Sequence, residues 1–556
     1  MPAKEPGPSE YLQRVSRKLL AIEGPPFTAQ SAAAAAQEIP SRVGTAYWRW
    51  ERAVHAFMTR HEAATQRFLA ALPGLLAWSI ILIPLLLSWD CPAIPMLVAM
   101  VYQVYWVSRG LRMLVYGTIG LVRVRAHRRI DWRAAYEAER AQGRPVLPWD
   151  AIRHIVIIAN YREPMAKLRQ TLEALARQRE VASQMWVILA MEGSEEGAVE
   201  KARALQREFR GRLGALHYTL HPAGLPGEIP GKAANEAWAA RWARQYFVGR
   251  RGHNQRYITV TSCDADSVFD PSYFACLTYK FATDPRRYLR FWQAPMLFHN
   301  NVWRLPTFIA FLTRMMGAGH LAMLTDPTNH PFPLSTYSTS LALLEKVGYW
   351  APDEISEDQH VFLQCFFARR GWVTVETIYL PTSADGPLSP TLWRTAINRY
   401  EQAKRHAWGA TDVGYAIRMC FQHAEIPAYV KLPRLWVLLR EHLIWSTSWP
   451  IITFGTLLPS LLNPGFVAWG PGLAFQRLFA LMGIVGTVLG PFLPLIDLLL
   501  GPPHPAGRRW WQDVWACLQW PLLPVIVLLF FALPGLDAQT RMLLGEKLRY
   551  RVTEKA

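Results

Sequence analysis

The sequence predicts an α/β domain with a mainly parallel sheet, inserted between transmembrane helices. Apolar segments of membrane-spanning length occur towards both ends of the chain, and between them short β-branched runs alternate with amphipathic stretches. The 556 residues are 51% hydrophobic, yet their mean hydropathy is only +0.05. These values indicate apolar blocks separated by polar ones, as in a membrane protein with a water-exposed domain.

The first hundred residues predict an arm followed by a transmembrane hairpin. Residues 1–66 indicate a flexible arm and a juxtamembrane helix, without a cleavable signal peptide, because the first long apolar run begins only near Phe68. Residues 67–108 predict the hairpin, since one uncharged run reaches Ser88 and a second extends from Cys91 to Val107. Arginines flank both ends and place them in the cytosol. A hairpin buried in a protein core is the alternative.

Residues 148–385 predict the cytosolic domain. Strands are expected at His154–Ala159, Trp186–Met191 and Tyr257–Val260, with an amphipathic helix at Pro164–Arg179. Strands that alternate with helices imply right-handed crossovers and a mainly parallel sheet. Ligands of such sheets bind beyond the carboxyl ends of the strands, so polar residues after each strand are candidates for a site.

The last third of the chain returns to apolar sequence. Residues 386–432 predict amphipathic helices at the membrane interface, and residues 433–536 predict a C-terminal transmembrane region. Three candidate spans lie there: Leu443–Leu462, Leu478–Leu500 and Val514–Leu536. Three spans would leave residues 537–556 outside the cell, whereas the basic residues of that tail favour the cytosol. The number of spans therefore stays open.

Charge and cysteine content restrict the partners and the compartment. The chain has 60 Lys and Arg against 42 Asp and Glu, a net charge of +18 that suits an anionic membrane surface or a phosphate-bearing substrate. The sequence has no zinc-finger or RNP-type motif, which argues against nucleic acid. Its six cysteines are scattered without a CxxC pair, so we expect no disulfide framework or zinc site, and a reducing cytosol.

Two acidic motifs follow predicted elements of the domain. In the stretch TSCDADSVFD, Asp264 and Asp266 come directly after a strand, where they can hold Mg²⁺ or Mn²⁺ against a phosphate or merely cap a loop. In SEDQ, Glu357 and Asp358 open a helix whose N-terminus keeps carboxylates ionised. Asp358 is therefore a candidate general base. An acidic first turn that only complements the helix dipole is the alternative.

Two basic motifs complete the set. PGKAAN opens a helix at Lys232, where a glycine and a lysine favour contact with phosphate; a solvated lysine after a turn is the alternative. QAKRHAWG, residues 402–409, lies in an amphipathic helix before the membrane region. Its Arg405 and Trp408 suit a diphosphate and a stacked sugar, or else serve as interfacial anchors.

The motifs, in this order, resemble those of the membrane-integrated family 2 glycosyltransferases, and within them the processive synthases of cellulose, chitin and hyaluronan. The resemblance covers about residues 150–410 through the strand-end acid, GKA-x-N, DAD, ED and Q-x-x-R, and the flanking spans through architecture. It implies a GT-A-like fold for the cytosolic domain, a nucleotide-sugar donor with a UDP-sugar favoured, and Mg²⁺ or Mn²⁺ as the cofactor.

The same resemblance implies roles for individual residues. Asp358 would be the catalytic base, with Glu357 beside it, and Asp264 and Asp266 would hold the metal. The donor would be bound by Asn160, Glu163, Glu192, Lys232, Asp264, Gln402 and Arg405. The acceptor would be bound by Gln293, in a Q-A-P sequence, and by Trp408. The tail YRVTEK is similar to the FxVTxK gating loop of cellulose synthases, which implies diphosphate contacts for Thr553 and Lys555 and a cytosolic tail.

Two departures from the family pattern bear on the substrates. The family's Q-x-x-R-W reads Gln402-x-x-Arg405-His406 here, and Trp408 lies about 200° further round the helix than His406. Trp408 therefore cannot simply replace the missing ring, and long-chain processivity is not implied. The acidic pair that the family has after the second strand reads Met191-Glu192 here, so the prediction of a uridine-containing donor has less support.

The sequence thus predicts an inverting, metal-dependent glycosyltransferase of the hexosyltransferase type, integral to the plasma (inner) membrane with its catalytic domain in the cytosol. It would extend a growing polysaccharide and thread the product through its own spans. Transfer of a single sugar to a lipid phosphate or a short glycan is the alternative, favoured by the altered Q-x-x-R-W. A transporter or an inactive scaffold is a third class, but the sequence shows no internal repeat and retains Asp266 and Asp358.

Overall fold

The computed structural model describes residues 41–468, 470–505, 507, 509–517, 519 and 522–546. The chain divides into two compact units, residues 1–60 and residues 61–556. In the first unit the described element is α1 (Ser41–Arg60), which lies where an arm and a juxtamembrane helix are predicted. It ends on Arg60, a charge that complements the negative end of the helix dipole.

The second unit begins with two long helices. α2 (Glu62–Leu86) and α3 (Ala93–His127) fall on the predicted hairpin. α3 has 35 residues and therefore continues well beyond residue 108, where the hairpin is predicted to end. α4 (Trp132–Ala141) follows, and the side chain of Asp131 caps it by accepting a hydrogen bond from the backbone N–H of Ala134.

Two sheets form the centre of this unit. One has seven strands in the order β3-β2-β1-β4-β8-β6-β9, and the other has three in the order β5-β10-β7. In chain order the strands are β1 (Arg153–Asn160), β2 (Met185–Glu192), β3 (Ala215–His221), β4 (Ile258–Asp264), β5 (Val268–Phe269), β6 (Arg290–Gln293), β7 (Met296–Leu297), β8 (Tyr337–Ser340), β9 (Thr374–Thr377) and β10 (Thr382–Ser383). The three runs predicted as strands form β1, β2 and β4, where Val and Ile suit a pleated, buried surface.

The larger sheet is mainly parallel, which confirms the predicted fold class. β1 runs parallel to β2 and β4, and β2 runs parallel to β3; β8 is antiparallel to both β4 and β6. The register pairs Asn160 with Met191 and Ala159 with Asp264. The carboxyl ends of β1, β2 and β4 therefore meet at one edge, where ligands of such sheets bind.

Helices cover both faces of the larger sheet. In chain order, the α-helices between β1 and residue 422 are α5 (Met165–Ala176), α6 (Ala198–Glu208), α7 (Lys232–Ala243), α8 (Tyr273–Thr283), α9 (Thr307–Thr325), α10 (Leu341–Val347), α11 (Glu357–Ala368), α12 (Leu392–Ala407) and α13 (Thr411–Gln422). Ile155 and Ile157 of β1 pack in one core with α7, α10, α11 and α13. Val156 and Ile158 pack in a second core with α5, α6 and α8. Burial on both faces explains why β1 is a continuous apolar run rather than an alternating one.

The C-terminal region is helical. Its described helices are α14 (Ala428–Leu462), α15 (Pro464–Ala468), α16 (Gly470–Leu489), α17 (Phe492–Leu500), α18 (Trp510–Cys517), α19 (Leu523–Val527) and α20 (Leu533–Leu544). The predicted span Leu443–Leu462 forms the second half of α14, and Leu478–Leu500 falls on α16 and α17. The predicted span Val514–Leu536 reaches from α18 into α20.

Within the described residues, four helical segments are long and apolar enough to cross a membrane: Glu62–Leu86, Thr307–Thr325, Gly470–Leu500 and Leu523–Leu544. The second of these, α9, is absent from the spans predicted from sequence, because Arg314 and His320 interrupt its apolar run. It is also the most enclosed of the four, with 67% of its most apolar window buried inside the protein. The larger sheet and the apolar helices are therefore packed into one body.

Close packing of α2 against α20 gives a first test. A Cβ atom at Gly74 would lie 2.3 Å from the backbone oxygen of Gln539 in α20. We expect Gly74→Ala to separate these helices and to lower the free energy of unfolding by about 1–3 kcal/mol. Thermal unfolding of the detergent-purified protein measures this loss. Gly110→Ala is the matched control, because a Cβ atom at this position of α3 would have no heavy atom within 4 Å; equal melting temperatures for the two variants would contradict the prediction.

Candidate active site

A cavity of about 1520 Å³ opens at the carboxyl edge of the larger sheet. Asn160, Glu192 and Asp264, the last residues of β1, β2 and β4, all line it. Lys232, at the start of α7, and Asp358, in the first turn of α11, line it as well. The structure therefore brings most of the sequence-predicted polar residues to one place.

Lys232 lies at the centre of the acidic groups. Its Nζ is 2.7 Å from Asp264 Oδ1 and 3.0 Å from Glu357 Oε1, and it donates a hydrogen bond to the backbone oxygen of Ser335 at 2.7 Å. Burial opposes the charged form, but the carboxylates outweigh it and hold the pKa of Lys232 well above its ordinary value. The sequence predicts that Lys232 contacts the donor phosphates, whereas in this structure its ammonium group lies among carboxylates.

Glu236 is a third carboxylate of this cluster, and the sequence motifs did not include it. Its side chain is fully buried 3.9 Å from Lys232 Nζ, and Oε1 accepts a hydrogen bond from the hydroxyl of Ser262 in β4. Burial raises the pKa of Glu236 well above its usual range, against the opposing effect of Lys232. A signal was present in the sequence, because positions 232 and 236 are four apart and share one face of α7.

Ser335 joins the two principal acids. Its backbone N–H donates to Asp358 Oδ2 at 2.8 Å, and its hydroxyl donates to Asp264 Oδ2 at 2.5 Å. The backbone at Ser335 has a φ of 61°, a left-handed conformation that is uncommon for a residue other than glycine. The strained conformation aims both donors at the cavity, which is typical of residues at functional sites.

Gln293 holds the segment around Ser335 in place. Its Oε1 accepts a hydrogen bond from Leu334 N at 2.9 Å, and its Nε2 donates to Thr336 O at 3.1 Å. The Gln293 side chain is fully buried at the end of β6. The structure therefore places this residue, which the resemblance assigns to acceptor binding, beneath the 334–336 segment as its support.

Asp358 has the environment of a general base. It lies at the N-terminus of α11, where Oδ1 also accepts a hydrogen bond from Gln359 N at 2.7 Å. Burial raises the pKa of Asp358 to about 7, and the neighbouring Glu357 carboxylate adds to the increase, while hydrogen bonds from Ser335 and Gln359 and the charge of Lys232 oppose it. Ser356 precedes the helix as predicted, but its side chain makes no capping hydrogen bond.

A buried pair behind this helix fixes its orientation. His360 Nδ1 lies 2.6 Å from Asp412 Oδ1, and Gln359 Nε2 donates to Asp412 Oδ2 at 3.1 Å. Asp412 lies in the first turn of α13 and is almost completely buried. These contacts anchor the helix that carries Asp358 to the helix that follows the Q-x-x-R motif, and sequence spacing alone gave no sign of them.

The donor-side residues occupy the edge next to β1 and β2. Asn160 donates to Glu195 Oε2 at 2.8 Å, and Glu163 Oε2 accepts from Tyr161 N at 2.5 Å. Glu192 Oε2 lies 3.2 Å from His221 Nδ1. Burial raises the pKa of Glu192, although His221 acts in the opposite sense. Asn160, Glu163 and Glu192 all line the cavity, whereas the contacts of Glu195 and His221 were not anticipated.

The two carboxylates of the DAD motif differ in position. Asp264 lines the cavity, with 28% of its side chain exposed. Asp266 is 2% exposed, and its Oδ2 accepts a hydrogen bond from Asp385 N at 2.8 Å. Asp385 is itself buried in an ion pair with Lys167, 2.5 Å away. Asp264 therefore faces the substrate space, and Asp266 lies behind it.

These donors fit a metal ion only together with a substrate. No group of three or more His, Cys, Asp or Glu side chains in the described part of the chain is arranged to hold a metal ion. Two carboxylates in one motif nevertheless match the needs of Mg²⁺ or Mn²⁺, which take the remaining ligands from water and from substrate phosphates. Asp264 and Asp266 are the residues that would hold it.

The Q-x-x-R motif is divided between the cavity and the protein interior. Gln402 and Arg405 line the cavity, and Gln402 Oε1 accepts a hydrogen bond from Arg399 Nη1 at 2.9 Å. Trp408 is only 8% exposed and packs against Ala538 and Met542 of α20. The ring assigned to the acceptor thus contributes to a core between helices. Thr553 and Lys555 lie outside the described residues.

Comparisons with known proteins gave one family match and a set of distantly similar solved structures. Residues 259–533 match the family model described as "Glycosyl transferase family group 2". No curated protein sequence matches the chain. Among solved structures, a mannosyltransferase from Pyrobaculum calidifontis in complex with GDP-Man and Mn²⁺ is 15% identical with a TM-score of 0.38, covering 70% of this chain and 97% of that one. S. aureus TarS 1-349 in complex with UDP-GlcNAc is 12% identical with a TM-score of 0.32, covering 72% and 94%. The chain has a GT-A-like α/β fold with a mainly parallel sheet, and its part from residue 259 to residue 533 matches the family 2 model.

Proposed function

We propose that this protein transfers a sugar from a nucleotide sugar to an acceptor hydroxyl, with inversion at the anomeric carbon. One observation carries the proposal: Ser335 holds Asp264 and Asp358 on the wall of the same cavity, through its hydroxyl and its backbone N–H. A donor contacted by Asp264 and an acceptor contacted by Asp358 would then meet in that cavity. The family 2 domain supports the reaction class.

Asp358 would take the proton of the acceptor. A carboxylate whose pKa is near 7 is ionised in part at neutral pH and is basic enough to remove a proton as the hydroxyl attacks. The acceptor oxygen forms a bond to the anomeric carbon, the bond from that carbon to the phosphate oxygen breaks, and the nucleoside diphosphate leaves. Because attack and departure occur on opposite faces, a single displacement inverts the configuration.

The leaving diphosphate needs positive charge. Arg405 lines the cavity on α12 and suits bidentate contact with phosphate oxygens. Lys232 is held by Asp264 and Glu357, so its charge chiefly keeps those carboxylates together. Asp264 and Asp266 would hold Mg²⁺ or Mn²⁺, which would supply further positive charge to the diphosphate.

The donor nucleoside would occupy the edge near β1 and β2. Asn160, Glu163 and Glu192 line this part of the cavity. The Glu192 carboxylate, which lies beside His221, would accept hydrogen bonds from the base. We propose a hexose donor linked to UDP, as the resemblance implies.

Two acceptors compatible with this chemistry were predicted, a growing polysaccharide and a lipid-linked or short acceptor. The position of Trp408 favours the second, because a ring packed against Ala538 and Met542 offers no stacking surface to a sugar chain.

We propose that the enzyme is integral to the plasma (inner) membrane and that its catalytic domain lies in the cytosol. The four apolar helices support the membrane location.

The base assignment has a kinetic test. Asp358→Asn preserves shape but cannot accept the proton, so we expect turnover to fall by about 10²–10⁴-fold with donor affinity nearly unchanged. In the natural protein, kcat/KM should rise with pH through about 7 and level off above it, because the deprotonated carboxylate is the active form. Released nucleoside diphosphate and isothermal titration of the donor measure the two quantities.

Asp353→Asn is the control for this test, because that carboxylate is exposed in the turn before α11 and lies outside the cavity wall. It should retain natural turnover. Natural turnover by Asp358→Asn, or a pH profile without an inflection near 7, would eliminate Asp358 as the base.

The support given by Gln293 makes a second prediction. Gln293→Ala leaves Leu334 N and Thr336 O without these buried hydrogen bonds, at a cost of about 1–3 kcal/mol for each unsatisfied group. We expect a lower melting temperature together with a loss of turnover, since Ser335 would no longer hold Asp358 in position. Gln206→Ala, which removes a hydrogen bond from α6 to Leu216 O, should leave turnover unchanged. Equal turnover in the two variants would refute the positioning role.

The tail gives a third prediction, which rests on sequence alone. Removing residues 549–556 deletes Thr553 and Lys555, so we expect weaker donor binding because two contacts to the diphosphate are lost. Titration with the nucleotide sugar measures the affinity. Glu554→Gln, at a variable position of the motif, is the control. A truncated protein with natural donor affinity would show that the similarity of YRVTEK to a gating loop is accidental.

A further inference from the structure

The cavity does not end at the sheet but continues between the long apolar helices. On α14 its wall includes Val437, Glu441, Trp445, Trp449 and Ile452. These positions are spaced by three or four residues and therefore lie on one face of the helix. The same cavity contains Asp264 and Asp358, so one continuous space joins the candidate catalytic residues to the membrane-spanning region.

The polarity of this wall changes in a fixed order along α14. After Val437 come the charged residues Arg440 and Glu441, the indoles of Trp445 and Trp449 follow one and two turns later, and Ile452 comes last. A bilayer leaflet has the same order, with charged headgroups, an aromatic interface and an aliphatic interior. The wall of the cavity therefore matches an amphiphile that lies along it.

The opposite wall is lined by small and apolar residues of α16. Phe479, Gly483 and Gly486 line the cavity. Thr487 of the same helix also lines it, but its hydroxyl donates a hydrogen bond to the backbone oxygen of Gly483 at 2.8 Å. A Cβ atom at Gly486 would have no neighbouring heavy atom within 4 Å. The glycines thus leave open width beside an apolar surface, which suits a flexible hydrocarbon chain.

Positive charge predominates where the cavity passes from the site into the helices. Arg109 Nη1 lies 2.8 Å from Glu441 Oε1, and Arg440 Nη2 lies 2.6 Å from the same oxygen, so two guanidinium groups share one carboxylate. Arg440 Nε is buried and has no hydrogen-bond acceptor among the described residues. The indole Nε1 atoms of Trp106 and Trp449 are also buried without a hydrogen-bond acceptor among the described residues. The guanidinium groups of Arg109 and Arg440 line the cavity and are suited to the oxygens of an anionic headgroup.

We propose that this cavity binds the acceptor, and that the acceptor is a lipid: a long aliphatic chain whose phosphate-containing headgroup carries the hydroxyl that receives the sugar. The inference rests on the proposed glycosyl transfer and names its acceptor class. The chain lies between α14 and α16, the phosphate contacts Arg109 and Arg440, and the hydroxyl reaches Asp358. Its oxygen bonds to the anomeric carbon, its proton passes to Asp358, and the nucleoside diphosphate departs.

A polysaccharide fits this space less well. Sugar units carry hydroxyls around the whole ring, and each hydroxyl moved from water to an apolar wall without a partner costs free energy. The wall formed by Ile452, Phe479 and the α16 glycines has few groups that could serve as partners. A hydrocarbon chain needs none and gains from burial.

Reconstitution of the full chain tests the inference. Phosphatidylcholine vesicles would contain phosphatidylglycerol in one arm and a sugar-bearing polyisoprenoid diphosphate in another, with labelled UDP-sugars as donors. Neutral diacylglycerol and a water-soluble oligosaccharide supply two further arms. We expect label in an organic-extractable product in at least one phospholipid or polyisoprenoid arm, and substantially less label in the neutral and soluble arms.

The variant Gly486→Leu tests where the acceptor lipid binds. Its side chain would project into the open width and displace two or more methylene groups of the lipid, so we expect the KM for the acceptor lipid to rise about tenfold with donor affinity unchanged. Gly465→Leu is the matched control, because Gly465 also has no heavy atom within 4 Å of its Cβ position and lies outside the cavity wall.

The possible failures are distinguishable. A protein that does not bind the nucleotide sugar contradicts the proposed function itself. If the donor binds and the label enters only the oligosaccharide or diacylglycerol, or enters no lipid, the lipid-phosphate acceptor is wrong. A natural KM for Gly486→Leu would place the lipid elsewhere.

Discussion

A single buried cation makes the site possible. Three carboxyl groups, from Asp264, Glu236 and Glu357, lie within 3.9 Å of Lys232 Nζ. Without this cation, ionised carboxylates gathered around one point would repel one another strongly in a space with little water. Lys232 is fixed at the start of α7 and bonded to Ser335 O, so the loop and the acids are arranged around one ammonium group. Removing one member of such a cluster would leave buried charge uncompensated.

The same arrangement gives two aspartates different properties. Asp264 is in direct contact with Lys232 and with the Ser335 hydroxyl. Asp358 accepts hydrogen bonds from two backbone N–H groups, yet burial raises its pKa to about 7. Carboxylates whose environments differ in this way can take different roles in one reaction, one contacting the charged donor and the other moving a proton. Ser335 couples the two because it bonds to both.

The central strands and the strand-end acids were predictable from local sequence. The runs ending at Asn160, Glu192 and Asp264 are apolar and β-branched, and parallel pairing brings their ends together, as the register confirms. The support of Ser335 by Gln293 was not predictable, because it joins residues more than forty positions apart through backbone groups. The burial of Trp408 depends on α20, which no local pattern places against α12. Helix α9 was missed because its polar residues are satisfied only by tertiary contacts, as in the ion pair between Arg314 and Asp497.

Direct contacts hold the apolar helices against one another and against the loops that carry the site. A Cβ atom at Gly120 in α3 would lie 2.7 Å from Leu321 in α9, and one at Gly117 would lie 2.9 Å from Ile496 in α17. These close approaches fix the apolar helices against one another, and His299, just after β7, bonds to Asp497 of α17 at 3.0 Å. The next residue, Asn300, donates to the backbone oxygen of Asp266 at 2.7 Å. Two consecutive residues thus tie the DAD motif to the segment Gly470–Leu500, which is long and apolar enough to cross a membrane. The polar edge of the sheet and the apolar part of the cavity therefore keep a fixed relation. A substrate that is charged at one end and aliphatic at the other can occupy both at once without any rearrangement of the fold.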